Sequence, residues 1–72
     1  MRISYDAEAD ALYIRLMEGE IECRNVPLRE NVTLDLGPED QLVGIEILSP
    51  AATLGEGELP KVIIDNLASI AA

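Results

Sequence analysis

The 72-residue chain has no histidine, tryptophan or phenylalanine, and its single cysteine is Cys23. Without histidine, the chain can form neither a Cys–His nucleophile pair nor a histidine-ligated metal site. One cysteine cannot make an internal disulfide, and its surroundings favour a small buried side chain. Two tyrosines are the only aromatic residues. The chain therefore lacks the series of rings on which nucleic-acid bases would stack.

Positive charge is also scarce. Five Lys and Arg residues stand against fourteen Asp and Glu residues, which gives a net charge of −9. Binding of DNA or RNA requires cations that displace counterions from phosphates, so direct nucleic-acid binding is not expected. An acidic surface favours a basic protein partner and fast, salt-sensitive association with it. The alternative is that the acidity serves only to keep a small protein in solution.

Long apolar runs are absent, so no membrane-spanning segment is expected. No apolar stretch typical of a signal peptide follows Met1, and the cytoplasm is the expected location. The length predicts one domain over residues 1–72 with a thin core, for which formation of a homodimer would be a natural supplement.

Apolar and polar residues alternate in five stretches, which is the period of half-buried β-strands. The stretches are RISYD, ALYIRLM, IECRNVPL, NVTLDLG and LVGIEIL. Their spacing of about ten residues predicts an antiparallel meander of four or five strands. The predicted inward face consists of Leu12, Ile14, Leu16, Ile21, Val32, Leu34, Leu36, Val43, Ile45 and Ile47.

Turn residues separate these strands. Gly19 in EGE can take a positive φ, and Pro38 is suited to a turn. The alternation in IECRNVPL changes phase, which predicts a bulge near Arg24 and Asn25. Pro27 has no N–H to donate, so this strand is predicted to lie at a sheet edge.

The remainder of the chain predicts helical structure. Ser49 suits an N-cap and Pro50 the first helical position. Further on, apolar residues recur at helical spacing at positions 59, 63, 67 and 70, although KVIID alone would fit a sixth strand. The predicted fold class is α+β, with a β-meander over residues 1–48 and a C-terminal helical segment over 49–72 packed on the sheet.

Two blocks of the sequence resemble the bacterial domain-of-unknown-function family 2283. The blocks are YDAEADALY, beginning at Tyr5, and VGIEIL, beginning at Val43. Ala7 stands where that family often has proline, and GPEDQ replaces its usual aspartate–glycine turn. The resemblance covers residues 1 to 50 and implies a small β-rich fold with no established activity. Such domains also look like the small acidic partners that are encoded beside basic, toxin-like proteins in bacteria.

Asp6, Glu8 and Asp10 place three carboxylates within five residues. They suggest an oxygen-rich cation site, but a calcium loop needs more ligands and a central glycine. The favoured interpretation is that Asp6 and Asp10 stabilise the turn between the first two strands.

A second group of functional candidates lies on the predicted outward face. Leu42 and Leu48 on that face favour contact with another molecule, whereas a solvated face with cross-strand charge pairs is the alternative. The complete set predicted to bind a partner is Tyr5, Asp6, Asp10, Tyr13, Arg15, Asp35, Gly44 and Glu46.

No nucleophile with a base, oxyanion hole or phosphate-binding loop is recognisable, so no catalytic residue, cofactor or metal is predicted. The favoured function is a non-enzymatic protein-interaction module, self-associating and antitoxin-like, that binds a basic protein. One alternative is a structural homodimer without another partner. The second alternative is a metal-dependent enzyme that uses Asp6, Glu8 and Asp10.

Overall fold

A computed structural model describes residues 1–55 and 57–65 and contains a single five-stranded antiparallel sheet. All five alternating stretches form strands, as predicted. Two short helical elements accompany them: a 3-10 turn at Pro38–Asp40, between the fourth and fifth strands, and the helix α1 at Pro50–Thr53, after the fifth. The strands are β1 (Arg2–Asp6), β2 (Ala11–Arg15), β3 (Arg24–Arg29), β4 (Val32–Leu36) and β5 (Leu42–Leu48).

The strand order is β1-β2-β5-β4-β3, so the predicted consecutive meander is wrong. The chain forms a β1–β2 hairpin and a β3–β4–β5 meander, and β5 returns to pair with β2. The last strand in sequence is therefore the central strand of the sheet.

The connection between β2 and β3, residues 16–23, makes this order possible. It must cross three strand spacings, about 14 Å, whereas eight extended residues reach about 26 Å. The N–H groups of Leu16 and Met17 both donate to the Val43 carbonyl, at 2.8 and 3.3 Å, and hold the start of the connection against β5. Gly19 has φ of 90°, in agreement with the predicted turn.

Strand β3 begins at Arg24, three residues after the predicted start. It lies at an edge of the sheet, as the presence of Pro27 predicted. The bulge predicted near Arg24 and Asn25 is misplaced, because the register of β3 shifts between Pro27 and Arg29. Proline offers no N–H to the ladder, and the pairing becomes irregular directly after it.

Within residues 49–55 and 57–65, the predicted C-terminal helical segment is present only as α1. Pro50 occupies its first turn, but Ser49 has φ of 48° and makes no side-chain capping bond. Residues 59–64 form neither a helix nor a strand, and positions 66–72 of the predicted helix lie outside the described residues. Short amphipathic segments become helical when they pack against a partner surface, and the side chains of residues 59–64 remain exposed.

The register separates the strand residues into two faces, because directly paired residues of antiparallel strands project to the same side. On one face, a single apolar row crosses all five strands, and a second row lies beside it. The first, which we call the apolar row, is Ile3, Ile14, Ile45, Leu34 and Val26; the second is Tyr5, Leu12, Ile47 and Val32.

Burial on this face is uneven. Val43 is fully buried, and Ile47 and Val32 are 5% and 9% exposed. Ile21 of the 16–23 connection converges with Val43 over Gly37, where the methyl carbons of both lie about 3 Å from the position of an added Cβ. Ile45, between the two buried residues of β5, is only half-buried. The predicted inward face is thus largely real, but its centre is open, and Leu16, predicted to point inward, is 36% exposed. Within the described ranges, no helix is long and apolar enough to cross a membrane.

Candidate functional site

The face opposite the apolar row, which we call the polar face, carries five of the predicted partner-binding residues. Tyr13 pairs with Glu46, and Gly44 pairs with Arg15 on one side and Asp35 on the other. The three central strands therefore bring these five residues together, as the alternation predicted.

A hydrogen-bonded network joins three strands across the polar face, β2, β4 and β3, and the Tyr13 side chain crosses over β5 to reach β4. The Tyr13 hydroxyl donates to Asp35 Oδ2 at 2.7 Å, and the Asn25 side-chain amide donates to Asp35 Oδ1. Gly44 lies beneath the Tyr13 side chain, because a Cβ at position 44 would overlap the phenol oxygen. Glycine is thus required here for the close approach of the ring to the backbone. The network uses Tyr13 and Asp35 to fix the sheet, which leaves them less free for a partner.

Burial and the nearby carboxylate alter the acidity of Tyr13. Burial raises the pKa of the Tyr13 phenol above 10.0, and the hydrogen bond to Asp35 raises it further. The phenol is consequently a neutral hydrogen-bond donor at physiological pH. It is not a poised acid or base.

Arg15 and Glu46 differ in how free they are to contact another molecule. The Arg15 guanidinium donates from Nε to the Met17 carbonyl at 2.7 Å and also donates to the Gly19 carbonyl. These bonds tie the 16–23 connection to β2. Glu46 is exposed at the centre of the face, between Tyr13 and Thr33 on the neighbouring strands. Of the five residues, Glu46 is therefore the one whose charged group faces solvent most fully.

The other three predicted residues lie at the β1–β2 turn. Asp6 Oδ1 accepts the backbone N–H groups of Glu8 and Ala9 at 3.0 and 3.2 Å. Asp10 has φ of 50° and accepts the Tyr5 hydroxyl at 2.7 Å. This hydrogen bond, followed by desolvation and the negative charge of Asp10, raises the pKa of Tyr5 above 10.0. The turn-stabilising interpretation of Asp6 and Asp10 is confirmed.

These hydrogen bonds also limit how the carboxylates of the β1–β2 turn could bind a cation. Asp6 and Asp10 direct oxygens toward local donors, and all three carboxylates are exposed. Among the residues that the structure describes, no group of three or more Asp, Glu or Cys side chains is placed to hold a metal ion.

A different acidic region surrounds one end of the sheet. It combines the 16–23 connection with the 3-10 turn before β5, and Glu22 and Glu39 line the same depression. Arg24 forms an ion pair with Asp40, the one salt bridge found among residues 1–55 and 57–65. We call this region the acidic end; its exposed carboxylates are Glu18, Glu20, Glu22, Glu39 and Asp40.

Two open depressions lie at the acidic end. One, of about 530 Å³, is lined by Arg15 and residues 19–22. The other, of about 410 Å³, is lined by residues 22–24 and 36–40. Both are bordered by carboxylates and are wide enough for a basic side chain, but neither is an enclosed cleft that would exclude water from a reaction.

Sequence reasoning missed the acidic end because its two groups of carboxylates lie at least 17 residues apart, Glu22 to Glu39, and meet only through the strand order. It also missed Asn25 as the second donor to Asp35, since the misplaced bulge put Asn25 in the wrong phase. Arg15 was recognised as a face residue, but its bonds to two carbonyls depend on the path of the connection.

Comparison with known protein families identifies the family of this chain. Residues 2–49 match the family model described as "Protein of unknown function (DUF2283)". This match covers two thirds of the 72 residues, so the chain belongs to that family, as the two sequence blocks indicated. No curated protein and no solved structure matches the chain.

Proposed function

We propose that this family member is a non-enzymatic interaction module whose acidic end binds a basic protein, in the manner of an antitoxin that occupies a small toxin. The supporting observation is the distribution of charge. Five exposed carboxylates surround one end of the sheet, and one of them, Asp40, is paired with Arg24. Such a concentration of one sign attracts an oppositely charged partner and accelerates association.

The shape of the acidic end fits this role. Its two depressions are open, and their carboxylates come from separate segments, so lysine or arginine side chains of one partner segment could enter both. Arginine binds carboxylates in a bidentate manner, which gives such a contact directional specificity. The proposal involves no reaction chemistry, cofactor or nucleic acid, and a cytoplasmic location remains a prediction.

The test is capture of partners from the native cell by the full chain, at low and at high salt. We expect a stoichiometric protein with a high isoelectric point that is released as salt is raised, because screening weakens exposed charge pairs. Recovery of no stoichiometric protein, or of a salt-insensitive acidic one, would contradict the proposal.

Two charge-matched variants then locate the surface. Glu20→Gln with Glu39→Gln removes two charges from the acidic end, and Glu8→Gln with Glu30→Gln removes two from the opposite end. None of these four side chains makes a hydrogen bond within the described structure, so both variants should fold normally. We expect about tenfold weaker binding of the captured partner by the first variant and little change for the second. Equal losses would show that only net charge matters.

A further inference from the structure

We infer that the apolar row is a self-association face, against which a second copy of this chain packs sheet to sheet. The inference is independent of the proposed basic partner, because the acidic end and the apolar row are different surfaces. The first observation is the dip in burial along β5. Val43 and Ile47 are buried, whereas Ile45, between them at the centre of the sheet, is not.

The partial exposure of Ile45 continues along the apolar row in both directions. Ile3 in the edge strand β1 is 37% exposed, and Ile14, Leu34 and Val26 are all only partly buried. No described element covers the row, and the apolar side chains of residues 59–64 are exposed themselves. A contiguous apolar surface of this kind is typical of an interaction site.

The distribution of charge selects the occupant. None of the nine residues in the two apolar rows carries a charge, although the chain as a whole has a net charge of −9. The charged strand residues on this face are two arginines of the edge strand β3, Arg24 opposite Leu36 and Arg29 opposite Val32. A basic partner gains nothing from this surface. Two copies can approach each other through it because the strand carboxylates Asp6, Asp35 and Glu46 lie on the polar face and those of the connecting turns lie at the ends of the sheet.

Sheet-to-sheet packing fits the dimensions of the apolar face. Five strands of about five residues present a surface of roughly 24 by 17 Å. Two such faces packed about 10 Å apart form a β-sandwich, in which alternate side chains of each sheet interdigitate. At about 400 Å² per copy, this contact is smaller than a standard interface of about 800 Å² per partner, so we expect a weak dimer with a dissociation constant on the order of micromolar.

Sedimentation velocity of the full chain, from about 1 to about 200 µM, tests the inference in the range where micromolar dimers form. We expect the mass to rise from 7.8 kDa toward twice that value. Ile3→Arg should weaken the dimer by about tenfold or more, because it puts a charge into the contact. A wild-type chain that stays monomeric throughout would overturn the inference.

Two matched controls carry the same new charge. Ser4→Arg changes the next residue of β1, on the polar face, and Ile63→Arg changes an exposed apolar residue outside the sheet. Both should leave the dimer intact. Loss of the dimer in either control, with retention in Ile3→Arg, would place the contact elsewhere and overturn the inference. If circular dichroism shows that Ile3→Arg is unfolded, Val26→Arg, in the opposite edge strand, makes the same test.

Discussion

The two faces of this sheet are built from the same strands but are completed in different ways. On the polar face, Tyr13, Asp35 and Asn25 satisfy one another through hydrogen bonds, with Gly44 making room for the ring. On the other face, side chains with no polar groups cover each other at the two ends of β5 and leave the centre open. Hydrogen bonds between side chains can satisfy the polar groups within one sheet. An apolar sheet face, by contrast, is buried only when a second layer of structure packs on it.

The largest effect should come from charging the buried end of the apolar face. Val43→Asp should unfold the chain or cost more than about 4 kcal/mol, because it buries an unpaired carboxylate. Leu42→Asp, at the adjacent exposed position, should cost only about 1 kcal/mol. Chemical denaturation of both variants checks this contrast. Similar losses of unfolding free energy in the two variants would show that the two faces do not differ in burial.

On the polar face, Gly44→Ala should cost about 2 kcal/mol, because the added methyl group must displace the Tyr13 side chain. The added Cβ would also lie 3.1 Å from the Ile14 carbonyl oxygen, so a residual cost should persist after the ring is removed. In a Tyr13→Ala background the same substitution should therefore cost less than in the wild type. A double-mutant cycle measures this coupling. Strict additivity would mean that the ring does not impose the glycine.

The β1–β2 turn should show a smaller effect. Asp6→Ala should lose about 1 kcal/mol, because two backbone N–H groups lose their acceptor. Asp6→Asn should remain close to the wild type, since its amide oxygen can accept the same bonds. Thermal melts with Ca²⁺, Mg²⁺ and Mn²⁺ should superimpose for the wild type. A cation-dependent rise in Tm that Asp6→Asn abolishes would instead restore the metal-site hypothesis.

The smallest effect concerns pH. Both tyrosines have pKa values raised above 10.0, so the folded chain holds these protons more tightly than the unfolded chain. Their stabilising contribution is therefore complete below pH 10 and is lost as pH rises through the folded-state pKa. Tyrosinate absorbance should titrate at higher pH in the native protein than in denaturant. A native midpoint at or below the unfolded one would contradict the hydrogen bonds to Asp10 and Asp35.

Local pattern predicted the strands and the membership of each face well, because alternation fixes which side of a strand a residue occupies. Tyr13, Asp35 and Glu46 were grouped correctly for this reason. The order of the strands was not predictable in this way, because alternation does not say which strands are neighbours. The path of residues 16–23 decides that, and it places β5 beside β2.

The errors have related physical causes. The bulge was predicted near Arg24 and Asn25, whereas the irregularity follows Pro27, where the missing N–H interrupts the ladder. Residues 59–64 have apolar residues suited to a helix, but their side chains are exposed, so packing does not stabilise a helix there. The acidic end depends on two segments that only the strand order brings together, so its carboxylates could be counted from the sequence but not placed.

Contact between two apolar rows is tested most directly by an isotope-filtered NOE experiment on a mixture of labelled and unlabelled wild-type chains. Methyl groups of Ile14, Ile45 and Leu34 should give intermolecular NOEs, and polar-face residues such as Thr33 should give none. Intermolecular NOEs that are confined to the polar face or to residues 59–64 would contradict this contact. So would the absence of any intermolecular NOE at 200 µM, a concentration well above the dissociation constant on the order of micromolar that is expected for it.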